Sequence, residues 1–205
     1  MRENVTARGG GFVFEMCYNA FMKIGLFIGR FQPLHYGHLL MIKQCASKVE
    51  QLIIGLGSVN VAQSCQDPFT AQERMEMIKK GMKELGIRNS DAAGRSPDPS
   101  GRRGYEIVEL PDMASDEAWV KMVAKTAGKF DISWSGDKRV VSIFEKSGLP
   151  VVRIKEFPGL SGTKIRRRMA QGQNWLKLVP LSVRKYLAEI GAVKRVRNLC
   201  QSKPR

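Results

Sequence analysis

The chain carries two histidines, His35 and His38, and both stand in one decapeptide, GRFQPLHYGH, Gly29 to His38. At a helix start, a spacing of three puts both imidazoles on one face, where they can donate to a single anionic group. The neighbours suit a phosphate. Gly29 allows close backbone approach, Arg30 offers a planar guanidinium fork, Pro33 stiffens the loop, and Gly37 removes a Cβ that would crowd a nucleotide. Two blander readings stay open, ordinary surface histidines or a metal pair, but no Cys, Asp or Glu at ligand spacing completes a metal set, and no metal-ligating residue is expected. The stretch contains neither GxxxxGK[ST] nor GxGxxG, so neither a P-loop nor a dinucleotide redox site is supported.

A second cluster, LSGTKIRRRM, spans Leu160 to Met169. A Ser-Gly-Thr turn entering a helix presents amides and the hydroxyls of Ser161 and Thr163 to an anion, with Arg166 one turn on to neutralise it. Alone this is a weak signal, because capped basic helices are common. Arg167 and Arg168 fall on other faces and are expected to be solvated or interfacial.

Positioning such groups requires a frame, and the hydrophobic pattern supplies one. Short apolar runs alternate with amphipathic stretches, the order of parallel strands joined by crossover helices. Strands are expected at Lys23–Ile28, Gln51–Gly57, Tyr105–Leu110, Asp131–Ser135 and Val151–Lys155. Helices are expected over Tyr36–Val49, from the TAQE capping box at Thr70 to about Leu85, over Ser115–Ala127 and Lys138–Lys146, then after Gly162 and after Pro180. The first histidine motif then lies where strand one meets its helix, where open parallel sheets bind ligands and a helix start favours phosphate.

With 205 residues, 43% of them apolar and 26% charged, the composition fits one globular domain and excludes two large ones, a disordered chain or a membrane bundle. The expected organisation is an extension over 1–21, a domain over 22–199 interrupted by a Gly/Pro/Ser/Arg-rich loop over 88–104, and a tail over 200–205. The four cysteines, Cys17, Cys45, Cys65 and Cys200, show no CxxC pairing, so inert thiols in a reducing cytoplasm are expected. The net charge is +15, and from Lys164 onward twelve basic residues face one acid, Glu189. A nucleic-acid-binding module is therefore a rival reading, but Trp175 and Tyr186 are the only aromatics in that stretch, too few for a stacking platform.

Taken together, GRFQPLHYGH resembles the (H/T)xGH signature of the nucleotidyltransferase superfamily, and LSGTKIRRRM resembles its ISxTxIR partner. The ordered set GRFQPxHxGH, GSxx, DPFTAxER, a Trp-containing helix and SGTxxRRRM is most similar to the archaeal-type nicotinamide-nucleotide adenylyltransferases, over about Met22 to Leu199. The resemblance implies an α/β fold, a Rossmann-like doubly wound parallel sheet of about five strands with C-terminal helices. It implies in-line attack of nicotinamide mononucleotide on the α-phosphate of ATP, giving NAD and pyrophosphate, with Mg²⁺ entering on the nucleotide. It implies a homo-oligomer; a cytoplasmic location is expected from the cysteines, no membrane partner because no apolar run reaches bilayer length, and no nucleic acid because the basic stretch lacks interleaved aromatics.

By the same resemblance His35, His38, Arg30 and Arg166 are catalytic. Ile28, Gly29, Phe31, Gly37, Gly57, Ser58, Ser135, Gly136, Asp137, Ser161, Thr163 and Ile165 bind the nucleotide, and Asp112, Asp116 and Trp119 bind the second substrate. Four positions depart from the family pattern: Gln63 and Gln66 stand where a histidine and a basic residue are usual, and Asp116 and Asp137 replace asparagines. A carboxylate at 116 is expected to repel nicotinate and so favour the amide substrate. The nucleotide half of the signature says nothing of the acceptor, so FMN or phosphopantetheine remain alternative acceptors.

Overall fold

The computed structural model describes residues 22–61, 63–87, 104–155 and 157–201. The expected extension over 1–21, the loop over 88–104 apart from Gly104, and the last four residues of the expected tail lie outside them.

Five parallel strands, β1 (Met22–Gly29), β2 (Val49–Gly57), β3 (Gly104–Leu110), β4 (Ile132–Ser135) and β5 (Val151–Arg153), form one sheet in the order β3-β2-β1-β4-β5. Helices α1 (Tyr36–Ala46), α2 (Ala71–Glu84), α3 (Asp116–Ala127) and α4 (Lys138–Lys146) are the crossovers, and α5 (Gly162–Ala170), α6 (Leu181–Glu189) and α7 (Ala192–Gln201) close the chain. The chain winds outward from β1 in both directions, so the sheet reverses at β1/β4, the place where ligands bind in such sheets.

The unbroken apolar runs of β1 and β2 arise because both faces of the sheet are covered. Along β2, Leu52, Ile54 and Leu56 pack among residues of α1, α2 and α5 to α7, while Ile53 joins Leu26, Ile28, Trp119, Val123 and Phe144 on the α3/α4 side. Gly25 leaves room for Trp134 of the neighbouring strand: a Cβ there would lie 2.5 Å from its Cζ3. The expected Thr70 box is present, Thr70 Oγ1 accepting from the Glu73 amide and the Glu73 carboxylate accepting from the Thr70 amide.

Two expectations are corrected. Helical spacing reaches Val49, yet α1 stops at Ala46, the Lys48 amide turns back to the Cys45 carbonyl, and Val49 opens β2. Val49 is buried in either role, so apolar periodicity could not separate them. Cys65 and Cys200 are not separate thiols: they form a disulfide with Cα atoms 4.7 Å apart across a sequence separation of 135. Spacing along a chain carries no information about such a long-range encounter, and the argument for a reducing compartment loses its basis. Cys45 remains a buried free thiol, its pKa pushed up to about 12 by burial, so it is inert as expected.

Candidate active site

Helix α1 is capped by histidine on histidine. His35 is the N-cap; its Nδ1 accepts from the His38 amide at 3.3 Å, and Nδ1 of His38 accepts from the His35 amide at 3.3 Å. This is the reciprocity of a capping box, made with imidazoles. It also stacks the rings, with centroids 3.7 Å apart and planes 18° from parallel. Because each Nδ1 is an acceptor, the proton of each neutral ring stands on Nε2. Burial lowers the His35 pKa to about 4, and burial together with the nearby His35 holds His38 well below its ordinary value. Each ring is therefore neutral at pH 7 with one N–H to donate, and net positive charge at the cavity comes from Arg30, Arg139, Lys155 and Arg166. Gly37 serves this cap as well as lining the cavity, since a Cβ there would lie 3.1 Å from His35 Cε1 and Nδ1.

The second motif meets the first at Gly162. A Cβ on Gly162 would fall 2.7 Å from the carbonyl oxygen of Gln32, so only glycine lets the start of α5 come this close. Ser161 caps α5 by accepting from the Lys164 amide. Arg166 then ties the two motifs together: Nη1 donates to Gln32 O at 2.7 Å, Nε to Cys65 O at 3.1 Å, and Nη2 to Thr163 Oγ1 at 3.2 Å. Its two terminal nitrogens each keep one N–H for a ligand. Arg30 is freer, with a half-exposed side chain 3.5 Å from Asp67 Oδ1. Asp67 is 8% exposed and lies in the field of Arg30, Arg74 and Arg166, the one buried carboxylate among the described residues.

A cavity of about 510 Å³ opens at the carboxyl ends of the strands. The structure brings to it every expected site residue except two. Ile165 is fully buried in the core under α5, and Asp116 lies outside the lining, where its Oδ1 accepts from Arg139 Nη2 at 2.8 Å. Arg139 faces the cavity in its place, so the negative charge expected to repel nicotinate is already neutralised, and that argument for amide preference fails. Asp112 is held by Ser58 Oγ at 3.1 Å and by Asn60 through its backbone. Asp137 caps α4, accepting from the Arg139 amide, while Ser135 Oγ accepts from the Asp137 amide. Trp119 divides its surface between the cavity and the core, where it meets Phe144 at 5.7 Å.

Arg139, Lys155 and Gly162 also line the cavity and went unnoticed in the sequence. The first two follow β4 and β5, so the rule that strand carboxyl ends face ligands could have found them. Gly162 is the middle of the quoted SGT turn. Gln66, which replaces a family base, is exposed and does not line the cavity.

Among the described residues no three His, Cys, Asp or Glu side chains gather to hold a metal ion. The two carboxylates at the cavity, Asp112 and Asp137, are each occupied as acceptors within the protein. These residues do not fit a resident metal cage. Among the described residues no helix is long and apolar enough to cross a membrane.

Known proteins resemble this chain in sequence and in fold. The family described as cytidylyltransferase-like matches residues 26–168. A nicotinamide-nucleotide adenylyltransferase of Thermococcus sibiricus is 40% identical over 177 residues, covering 85% of this chain and 88% of that protein. One from Methanothrix thermoacetophila is 36% identical over 180 residues, covering 87% and 96%. Among solved structures, a bifunctional NMN adenylyltransferase/ADP ribose pyrophosphatase from Francisella tularensis superposes with a TM-score of 0.61 at 21% identity, over 90% of this chain and 58% of that one. A putative nicotinate-nucleotide adenylyltransferase from Vibrio parahaemolyticus gives 0.57 at 15% identity, over 86% and 96%. The structural likeness speaks to the fold, the sequence relatives to the lineage: the chain belongs to the cytidylyltransferase-like family and, within it, to the nicotinamide-nucleotide adenylyltransferases.

Proposed function

We propose that this chain transfers the adenylyl group of ATP to nicotinamide mononucleotide, yielding NAD and pyrophosphate. The observation that carries the reading is the meeting of GRFQPLHYGH and SGTKIRRRM at Gly162 and Arg166 over one cavity at the switch point of the sheet. A 5′-phosphate oxygen of the mononucleotide attacks the α-phosphorus in line. The new P–O bond forms as the bond to the bridging oxygen of the β-phosphate breaks, and pyrophosphate leaves with that oxygen.

In this reading catalysis is positioning plus electrostatics. His35 and His38 donate through Nε2–H, Arg30 swings from its loose contact with Asp67 onto the phosphates, and Arg166 offers its remaining N–H groups from a fixed frame. The starts of α1 and α5 add their dipoles. ATP arrives as its magnesium complex, the ion being part of the substrate. Trp119 presents its cavity-facing surface to the nicotinamide ring.

The basic C-terminal stretch does not favour a nucleic-acid module. Arg166 belongs to the site, Arg195 pairs with Glu73 at 2.6 Å, and Arg168 and Arg184 each donate to a backbone carbonyl. The test is incubation with ATP, Mg²⁺ and nicotinamide mononucleotide, with NAD as product, beside pyrophosphate release with FMN or phosphopantetheine as acceptor. NAD formation with no turnover of the other two is expected. Turnover of another acceptor alone would replace the acceptor while leaving the chemistry.

A further inference from the structure

From the geometry of α2 and the two strand ends beside it, we infer that Arg74 is a positioning residue for adenylyl transfer: without touching substrate, it sets the backbone that faces the triphosphate. This rests on the adenylyltransferase reading.

Arg74 is 1% exposed, in the first turn of α2, and it does not line the cavity. A buried cation at a helix N-terminus is unfavourable twice over, by desolvation and by the dipole. Among the described residues no carboxylate pairs with it directly. It donates instead to four carbonyls: Nη1 to Gly57 O at 2.7 Å and Arg30 O at 2.9 Å, Nη2 to Ser58 O at 3.1 Å, and Nε to Thr70 O at 3.3 Å. Three of these carbonyls come from the carboxyl ends of β1 and β2, where they converge on one point. Without a cation there, their dipoles would repel.

The peptides so held are not arbitrary. Arg30 O belongs to the peptide entering Phe31, and Gly57 O to the peptide entering Ser58. Phe31 and Ser58 are the two non-glycine residues with positive φ among the described residues, at 53° and 54°. Such conformations persist only where the surroundings over-determine them, and one guanidinium clamps both. In a planar trans peptide the N–H points opposite to the C=O, so the amides of Phe31 and Ser58 are turned away from Arg74. Both residues line the cavity. A lysine in its place would keep the charge and lose the fork that reaches two loops at once.

The test compares wild type with Arg74→Lys and Arg74→Met, each assayed well below its melting midpoint. kcat/KM for ATP should fall about 100-fold, the cost of a misplaced group, with KM for nicotinamide mononucleotide within about three-fold of wild type. Amide exchange should accelerate at Phe31 and Ser58 ahead of the sheet core, which a purely structural residue would not produce. Folded variants with wild-type kcat/KM overturn the inference. If neither variant folds, wild type decides: on adding α,β-methylene-ATP with Mg²⁺, the Phe31 and Ser58 amide resonances should shift, and two unmoved resonances overturn the inference as well. A wild type that makes no NAD defeats the adenylyltransferase reading instead, and the resonance experiment still judges Arg74.

Discussion

His35 and His38 lie ring on ring, each taking through Nδ1 a hydrogen bond from the backbone of the other, so the pair that caps α1 also lines the cavity. Burial disfavours the imidazolium, and the His35 pKa drops to about 4 from the ordinary 6.5. Between those values the unfolded chain binds more protons than the native one, so stability is complete above pH 6.5 and declines as pH falls toward 4. For His35 the decline is about 3 kcal/mol, with His38 adding in the same direction. Urea midpoints measured from pH 7.5 to 4 should show it, and His35→Gln should flatten the profile. A wild-type profile level through that window would mean that burial does not depress the imidazole pKa in the native protein.

The same pair separates folding from turnover. His38→Ala removes one half of the reciprocal cap, a loss of about 1 kcal/mol. It also removes an Nε2–H donor from the phosphate site, which should cost about 100-fold or more in kcat. Chemical denaturation and steady-state NAD formation, run on one preparation, check the split; equal small losses in both would make His38 a cap and nothing else.

Gly162 is a point of close approach between the two motifs. An alanine there would place its Cβ 2.7 Å from Gln32 O and crowd Arg166 Nη1 at 3.2 Å. The start of α5 must then retreat, at about 1–3 kcal/mol. It takes the Arg166 bond to Gln32 with it, so KM for ATP should rise along with the loss in stability. An unaltered KM in a folded Gly162→Ala protein would show that the closeness of the motifs is incidental.

Much of this site was legible because its chemistry sits at strand ends and helix caps, which leave local marks. GRFQPLHYGH, the TAQE box and the SGT turn each announce a boundary, and the alternation of runs gave the parallel sheet. What escaped had no local mark. Asp116 reads like a substrate ligand until Arg139 of the next helix is brought against it, and that pairing exists only after β4 docks beside β1. Ile165 shares a motif with Arg166 but points into the core, because one helical step turns a side chain through about 100°. Arg74 closes the quoted DPFTAxER stretch, but its role leaves no local mark, since its four carbonyl partners come from three separate segments.

The Asp116–Arg139 pair makes a discrimination testable. Arg139→Ala bares the aspartate and should move the kcat/KM ratio toward nicotinamide over nicotinate mononucleotide. Asp116→Asn frees the guanidinium and should move it the other way. Both groups are exposed, so each shift should be about two- to five-fold and shrink with added salt. Ratios that move together, or not at all, would place the pair too far from the pyridine ring to matter.

Cys65 and Cys200 couple stability to the site. Their bond closes a chain segment of 135 residues, and in the chain-entropy view opening it releases about 5 kcal/mol of constraint at most. It also anchors the segment whose Cys65 carbonyl receives Arg166 Nε and whose Asp67 faces Arg30. Cys200→Ser should therefore lower the denaturant midpoint and raise KM for ATP, while leaving KM for the mononucleotide nearly unchanged. Reduction of wild type by a dithiol, which takes up the bond as two thiols and is itself oxidised to a disulfide, should reproduce both changes; the same dithiol should do nothing to the variant. A reduced wild type with unaltered midpoint and kinetics would leave the bond as a surface tie without influence on Arg166.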